Sequence, residues 1–282
     1  MGQTHESRLN LSDGTDIFVR DWLPDEPGNG KQVPCIVILH GLGEHCGRYL
    51  HVASFLNSNG FAVRTYDHRG HGQSSGSRAD VPGSMTLIND AEFIIRDFAH
   101  HFSTSPILLG HSMGGLYAAR IATAATVPLR GLILSSPALA LRLTGLDRLL
   151  LKLMTAIAPH VALSNNLNSS HLSHDPLVSR AYDNDPLVHK KITASLLNSM
   201  LAAIDSSLDH APESRIPTLL LVAENDKLID PRGSHDFFER LPKDLATAHF
   251  YPDLYHEIFN EIKAAMVFDD LKQWLSVQKF IA

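Results

Sequence analysis

Apolar positions along this chain fall into two rhythms. Short runs bounded by turn residues read as strands: Asp16 to Leu23 (DIFVRDWL), Val33 to Leu39 (VPCIVIL), Phe61 to Tyr66 (FAVRTY), the run before Gly110 (PILL), Leu129 to Ser135 (LRGLILS), Pro217 to Ala223 (PTLLLVA) and Thr247 to Tyr251 (TAHFY). Between them lie stretches with helical spacing, around Tyr49 to Ser58, Leu87 to His101, the segment from Met113 in which Leu116, Ala119 and Ala122 recur, and Glu261 to Leu275. Strands alternating with helices predict the α/β class, with a mostly parallel sheet covered on both faces. In such sheets the chemistry sits at the carboxyl ends of the strands.

The alternation breaks from about Ala138 to Pro212. A helix is predicted over Leu143 to Ala158, where Leu146, Leu150, Leu153 and Ile157 form one apolar stripe, widened by Leu149, Met154 and Ala158. No strand is expected in this segment. The organisation predicted is therefore a core of residues 1–137 and 213–282, interrupted by a helical cap at 138–212 whose leucines are part core and part wall of an apolar tunnel.

The segment PILLGHSMGGL, Pro106 to Leu116, sets an apolar run against a serine with glycines two residues before and two after. A strand that reverses abruptly into a helix needs close backbone packing, and Gly110 and Gly114 leave that space around Ser112. The segment GQSSG, Gly72 to Gly76, has the same spacing, but no strand leads into Ser74 and no helix leads out. Ser74 is expected to be a loop serine and Ser112 a nucleophile.

A serine hydroxyl needs a base, and the base a carboxylate that holds its tautomer. On such a sheet the order is serine, acid, histidine, the last two in loops after the final strands. Asp226 and His256 occupy those places, ahead of Glu224, Asp230, Asp253 and His249. The oxyanion donors expected are the backbone N–H of Met113 and, from ILHGLGEH, that of Leu42.

Composition narrows the surroundings of this site. The chain of 282 residues carries a net charge of −6, which suggests no nucleic-acid partner. No apolar run has the length of a membrane span, the amino terminus lacks a signal-peptide core, and Glu6 breaks the myristoylation pattern, so a cytoplasmic protein is expected, peripheral at membranes at most. Of two cysteines, Cys35 reads as a small core residue and Cys46 as an accessible thiol in a glycine-rich loop. His40, His45, His68, His71 and Asp67 lack the thiolates or the H-E-x-x-H helix of a metal site, so no metal or other cofactor is expected.

With these residues assembled, HGLGEHCGRY (His40–Tyr49), YDHRGHGQS (Tyr66–Ser74), GHSMGG (Gly110–Gly115) and YHEIFNE (Tyr255–Glu261) resemble the α/β-hydrolase superfamily, and within it the monoacylglycerol lipase and lysophospholipase group. The resemblance implies Ser112, Asp226 and His256 as triad, Leu42 and Met113 as oxyanion donors, and Glu44 with Arg48 near the polar head of a lipid ester. An ion pair that pins the oxyanion loop is the other reading of that pair. The expected activity is hydrolysis of monoacylglycerols, or of lysophospholipids, with transient contact between cap and membrane or micelle. A carboxylesterase or acyltransferase acting on short or non-lipid esters is the alternative, and a non-catalytic hydrolase-like binding protein the distant one.

Overall fold

A computed structural model describes residues 3–24 and 33–281; the first two residues of the myristoylation pattern lie outside that range. The chain opens with β1 (Gln3–Asn10) and β2 (Asp16–Leu23), then alternates β3 (Cys35–Leu39), α1 (Leu50–Ser58), β4 (Ala62–Tyr66), α2 (Thr86–Phe102), β5 (Ile107–His111), α3 (Met113–Ala124) and β6 (Gly131–Ser135). The interrupting segment contributes α4 (Gly145–Ile157), β7 (Leu163–Ser164), α5 (Pro176–Asn184), β8 (Lys191–Ile192) and α6 (Ala194–His210). The sheet rhythm then resumes with β9 (Thr218–Ala223), α7 (Arg232–Arg240), β10 (Ala246–Tyr251) and α8 (Ala264–Val277).

Eight strands form one sheet in the order β1-β2-β4-β3-β5-β6-β9-β10. The pairs β1–β2 and β2–β4 are antiparallel and every pair from β4 to β10 is parallel. All residues of β3, β4, β5, β6 and β9 are buried, as strands covered on both faces must be. Val37, Leu39, Leu108 and Leu132 face α2 and α3, while Ile36, Ile38, Leu109 and Ile133 face α1 and α8.

Three differences from the predicted pattern have physical causes. β1 went unread because QTHESRLN is polar, and an edge strand exposed on its outer faces needs no apolar alternation. The segment 138–212 does contain strand: β7 pairs antiparallel with β8 over Leu163–Ile192 and Ser164–Lys191, too short for any periodicity to betray it. The leucine stripe of α4 is not core. No residue of α4 is buried, and Leu146, Leu149, Leu153 and Ile157 are 74%, 64%, 54% and 69% exposed. The buried helix of this segment is α6, whose Leu196, Met200, Ala203 and Ile204 join the core while Ser199 Oγ sits 3.0 Å from the Tyr117 hydroxyl on α3.

Candidate active site

Ser112 stands between the end of β5 and the start of α3 with φ 53° and ψ −119°. A non-glycine residue held there stores ~1–3 kcal/mol of strain, which the surroundings must offset. They do so on both sides: the Ser112 N–H donates to Ser135 O at 3.0 Å, and its carbonyl accepts from Leu116 N and Ala138 N, each at 3.0 Å. The flanking glycines are required by packing. A Cβ on Gly114 would lie 2.3 Å from Leu39 O, and one on Gly110 would lie 2.4 Å from Gly114 O. Ser74, by contrast, is buried and spends its hydroxyl on structure, donating to Asp67 O at 2.6 Å and accepting from Phe18 N at 2.9 Å.

Asp226 follows β9 and His256 follows β10, so the parallel pairing of these strands brings the two loops together. His256 Nδ1–H donates to Asp226 Oδ2 at 2.5 Å, which leaves Nε2 as the nitrogen available to a hydroxyl. Asp226 Oδ1 accepts from the N–H groups of Leu228 (2.8 Å) and Ile229 (3.1 Å). Burial disfavours the His256 imidazolium, but the Asp226 carboxylate outweighs it and holds the ring above its ordinary range; burial likewise pushes Asp226 up, and His256 with the two N–H donors brings it below. The competing acids are engaged elsewhere: Glu224 accepts from His235 Nε2–H (2.6 Å), Asp230 pairs with Arg232 and Asp253 faces Lys263. His249 faces Asp270.

Two further side chains hold this acid–base couple, and the sequence reading missed both. Arg142, where the interrupting segment leaves β6, donates Nη2–H to Asp226 O (3.1 Å) and Nε–H to Ile229 O (3.0 Å). Glu261 is buried and gathers Tyr255 N–H (2.7 Å), His174 N–H (3.2 Å) and His174 Nδ1–H (2.8 Å), tying the base's loop to the segment between β7 and α5. Glu261 was visible as the last residue of YHEIFNE, but its partner at His174 was not.

The loop after β3 carries Leu42. Among the described residues no acceptor takes the N–H of Leu42 or of Met113, and Leu42 borders the same cavity as Ser112 and His256. Gly43 has φ 79°, and a Cβ there would lie 2.3 Å from His189 O. Glu44 is buried and holds the loop from within: Oε1 accepts from Gly41 N–H and the Tyr49 hydroxyl, both at 2.6 Å, and Oε2 from Arg48 Nε–H at 2.9 Å. Arg48 Nη2 reaches both oxygens of Glu257 at 2.6 Å. Glu44 and Glu257 border the cavity, whereas Arg48 stands behind them.

His40, His68 and His71 pack ring against ring and are buried. His40 Nδ1–H donates to Gly41 O at 2.8 Å and its Nε2 accepts from His68 N–H at 2.9 Å. His45 Nε2 faces Asp185 Oδ2 at 2.9 Å. Among the described residues no group of histidines, cysteines and carboxylates is placed to hold a metal ion. Cys46 differs from its expectation: it is 2% exposed, and burial pushes its thiol well up, away from reactivity. Cys35 lies in β3 as a core residue, its thiol pushed up to about 12.

Ser112, His256, Leu42, Glu44 and Glu257 open on one cavity of about 590 Å³, within the range of sites that enclose small organic ligands. Its walls are mostly apolar away from Ser112, with Leu141, Leu150, Leu151, Met154, Leu197 and Met200 drawn largely from the interrupting segment.

The family described as serine aminopeptidase, S33, matches residues 30–263. The chain is 32% identical over 267 residues to a monoacylglycerol lipase of Mycolicibacterium smegmatis, covering 93% of each protein. It is also 32% identical to phospholipase YtpA of Bacillus subtilis, covering 88% of this chain and 98% of that one. Among solved structures, the monoacylglycerol lipase of Paleococcus ferrophilus superposes with a TM-score of 0.83 at 32% identity, covering 93% of this chain and 99% of the other.

Proposed function

The chain belongs to the serine aminopeptidase S33 family of the α/β-hydrolase superfamily, and from that membership we propose that it hydrolyses the acyl ester of monoacylglycerols through an acyl-Ser112 intermediate. The observation that carries this reading is the opening of the Ser112 elbow and of His256, held from behind by Asp226, onto one largely apolar cavity. His256 takes the Ser112 proton as the hydroxyl attacks the ester carbonyl, then gives it to the departing glycerol oxygen. Water activated by the same ring releases the fatty acid, while Asp226 holds the tautomer. The N–H groups of Leu42 and Met113 receive the oxyanion; loss of one such donor typically costs ~3 kcal/mol of transition-state stabilisation.

In this reading residues 138–212 are a cap, and the cavity wall it supplies is the acyl site. The exposed leucines of α4 are its contact with micelle or membrane surfaces. Among the described residues no helix is long and apolar enough to cross a membrane. Serine substitutions at Leu146, Leu149 and Leu153 should slow hydrolysis of micellar esters and spare monomeric ones; equal rates on both overturn the contact.

The substrate is tested by fatty-acid release from a monoacylglycerol and the lysophosphatidylcholine of the same chain, with Ser112→Ala as control. Strong preference for the monoacylglycerol is expected. Cleavage of a short aryl ester alone, still requiring Ser112, keeps the chemistry and rejects the lipid.

A further inference from the structure

Relatives at equal identity include both a monoacylglycerol lipase and a phospholipase, so the charge of the departing head group is the open question at this site. In the mechanism above His256 hands its proton to the departing oxygen, which places the head group beside His256 and the side chains around it. Two of those are carboxylates that border the cavity, Glu257 next in sequence to His256 and Glu44 behind Gly41, whose Cα neighbours Ser112. They share one cation. Arg48 binds Glu44 at 2.9 Å and Glu257 at 2.6 Å, all three side chains being less than 10% exposed. Two carboxylates on one guanidinium leave one negative charge, shielded from water and turned toward the leaving side, with the cation set behind.

We propose that Glu257 is a specificity-determining residue that admits ester substrates with neutral head groups and rejects those whose head group carries net negative charge. A lone surface carboxylate would be screened, but a buried like charge is not. Two cations also border the cavity and keep their charge, but neither is ion-paired with Glu257 or Glu44: the Arg142 guanidinium is anchored on the Asp226 and Ile229 carbonyls, and Lys227 Nζ lies against Asn225 Oδ1 on the exposed side of the acid's loop. The neighbours of His256 agree: after Asp226, the Glu257 and Glu44 carboxylates are the charges that favour its imidazolium.

The inference rests on the acyl-serine reading, and its test separates the two. Wild type and Glu257→Gln are compared on a monoacylglycerol and the lysophosphatidic acid of the same chain, and on phenyl acetate and its 4-sulfonated analogue, which pose the charge question without a lipid. Wild type should favour the neutral member of each pair at least tenfold in kcat/KM, and Glu257→Gln should narrow that ratio by about tenfold, or ~1.4 kcal/mol. Glu257→Asp, which keeps the charge, should keep the preference. The acidic limb of the kcat/KM profile on the neutral aryl ester should also move to lower pH in Glu257→Gln, a shift that a merely structural role would not produce. Failure on both lipids with the aryl preference intact counts against the lipid reading and for the charge assignment. Equal rates within the aryl pair for wild type, or a preference that Lys227→Met changes and Glu257→Gln does not, overturn it.

Discussion

Helices α3 and α4 are of similar length and both rich in apolar residues, yet ten residues of α3 are buried and none of α4. α3 is apolar nearly all round and lies between the sheet and α6, its first turn holding Ser112 in place. α4 is amphipathic with Leu146, Leu149, Leu153 and Ile157 turned outward while Leu150 and Met154 line the cavity, and a Thr144–Asp147 capping box secures its first turn without help from the core. The pair teaches that apolar periodicity reports the shape of a face and not what covers it. In one helix burial builds the site; in the other exposure leaves a surface for something outside the chain.

The comparison is most sharply tested at the two helix starts. Ser112→Ala should lower esterase activity at least ~10³-fold while leaving thermal stability near or above that of wild type, because the strained hydroxyl-bearing elbow contributes chemistry rather than packing. A fall in melting temperature as large as the fall in activity would break the assignment.

Gly114→Ala should destabilise by about 3 kcal/mol, since its Cβ would be driven against Leu39 O at 2.3 Å with only backbone to give way. Gly145→Ala, with nothing within 4 Å, should be neutral or stabilising by about 0.5 kcal/mol. Urea titration of both variants reads the contrast directly, and similar midpoints would erase it.

Acid should weaken the core. Burial holds His68 down to about 4, and burial with the neighbouring histidine rings holds His40 and His71 well below their ordinary 6.5. Groups depressed in the folded state bind fewer protons than in the unfolded chain, so their contribution is complete above pH 6.5 and is lost progressively as the pH falls toward 4. Urea midpoints that stay flat between pH 7 and 4.5 would mean these rings are protonated without cost. The smallest effect belongs to α4: serine at Leu146, Leu149 or Leu153 should change stability by no more than about 0.5 kcal/mol each.

Much of this molecule was legible from the chain. The strands of the parallel sheet read as apolar runs because both their faces are covered, and Ser112, Asp226 and His256 could be proposed as site residues because each follows such a run. β1 and the β7–β8 pair were illegible for the opposite reason, one polar at an exposed edge and the other two residues long. Cys46 misled because a glycine-rich loop reads as exposed, whereas this one is folded under Asp67, which accepts from the Cys46 N–H at 2.8 Å.

By itself the sequence determined the alternation of strand and helix, the glycine-walled turn at Ser112 and the places of Asp226 and His256 just past strands, because those depend on side-chain size and spacing within a few residues. Only the tertiary structure decided that Arg48 would bridge to Glu257, 209 residues away, that Arg142 and His174 of the interrupting segment would hold the Asp226 and His256 loops, the latter through Glu261, and which way the α4 stripe would turn. Such pairings arise where loops from separate strands converge at one end of the sheet, and local propensity carries no information about which side chains meet there.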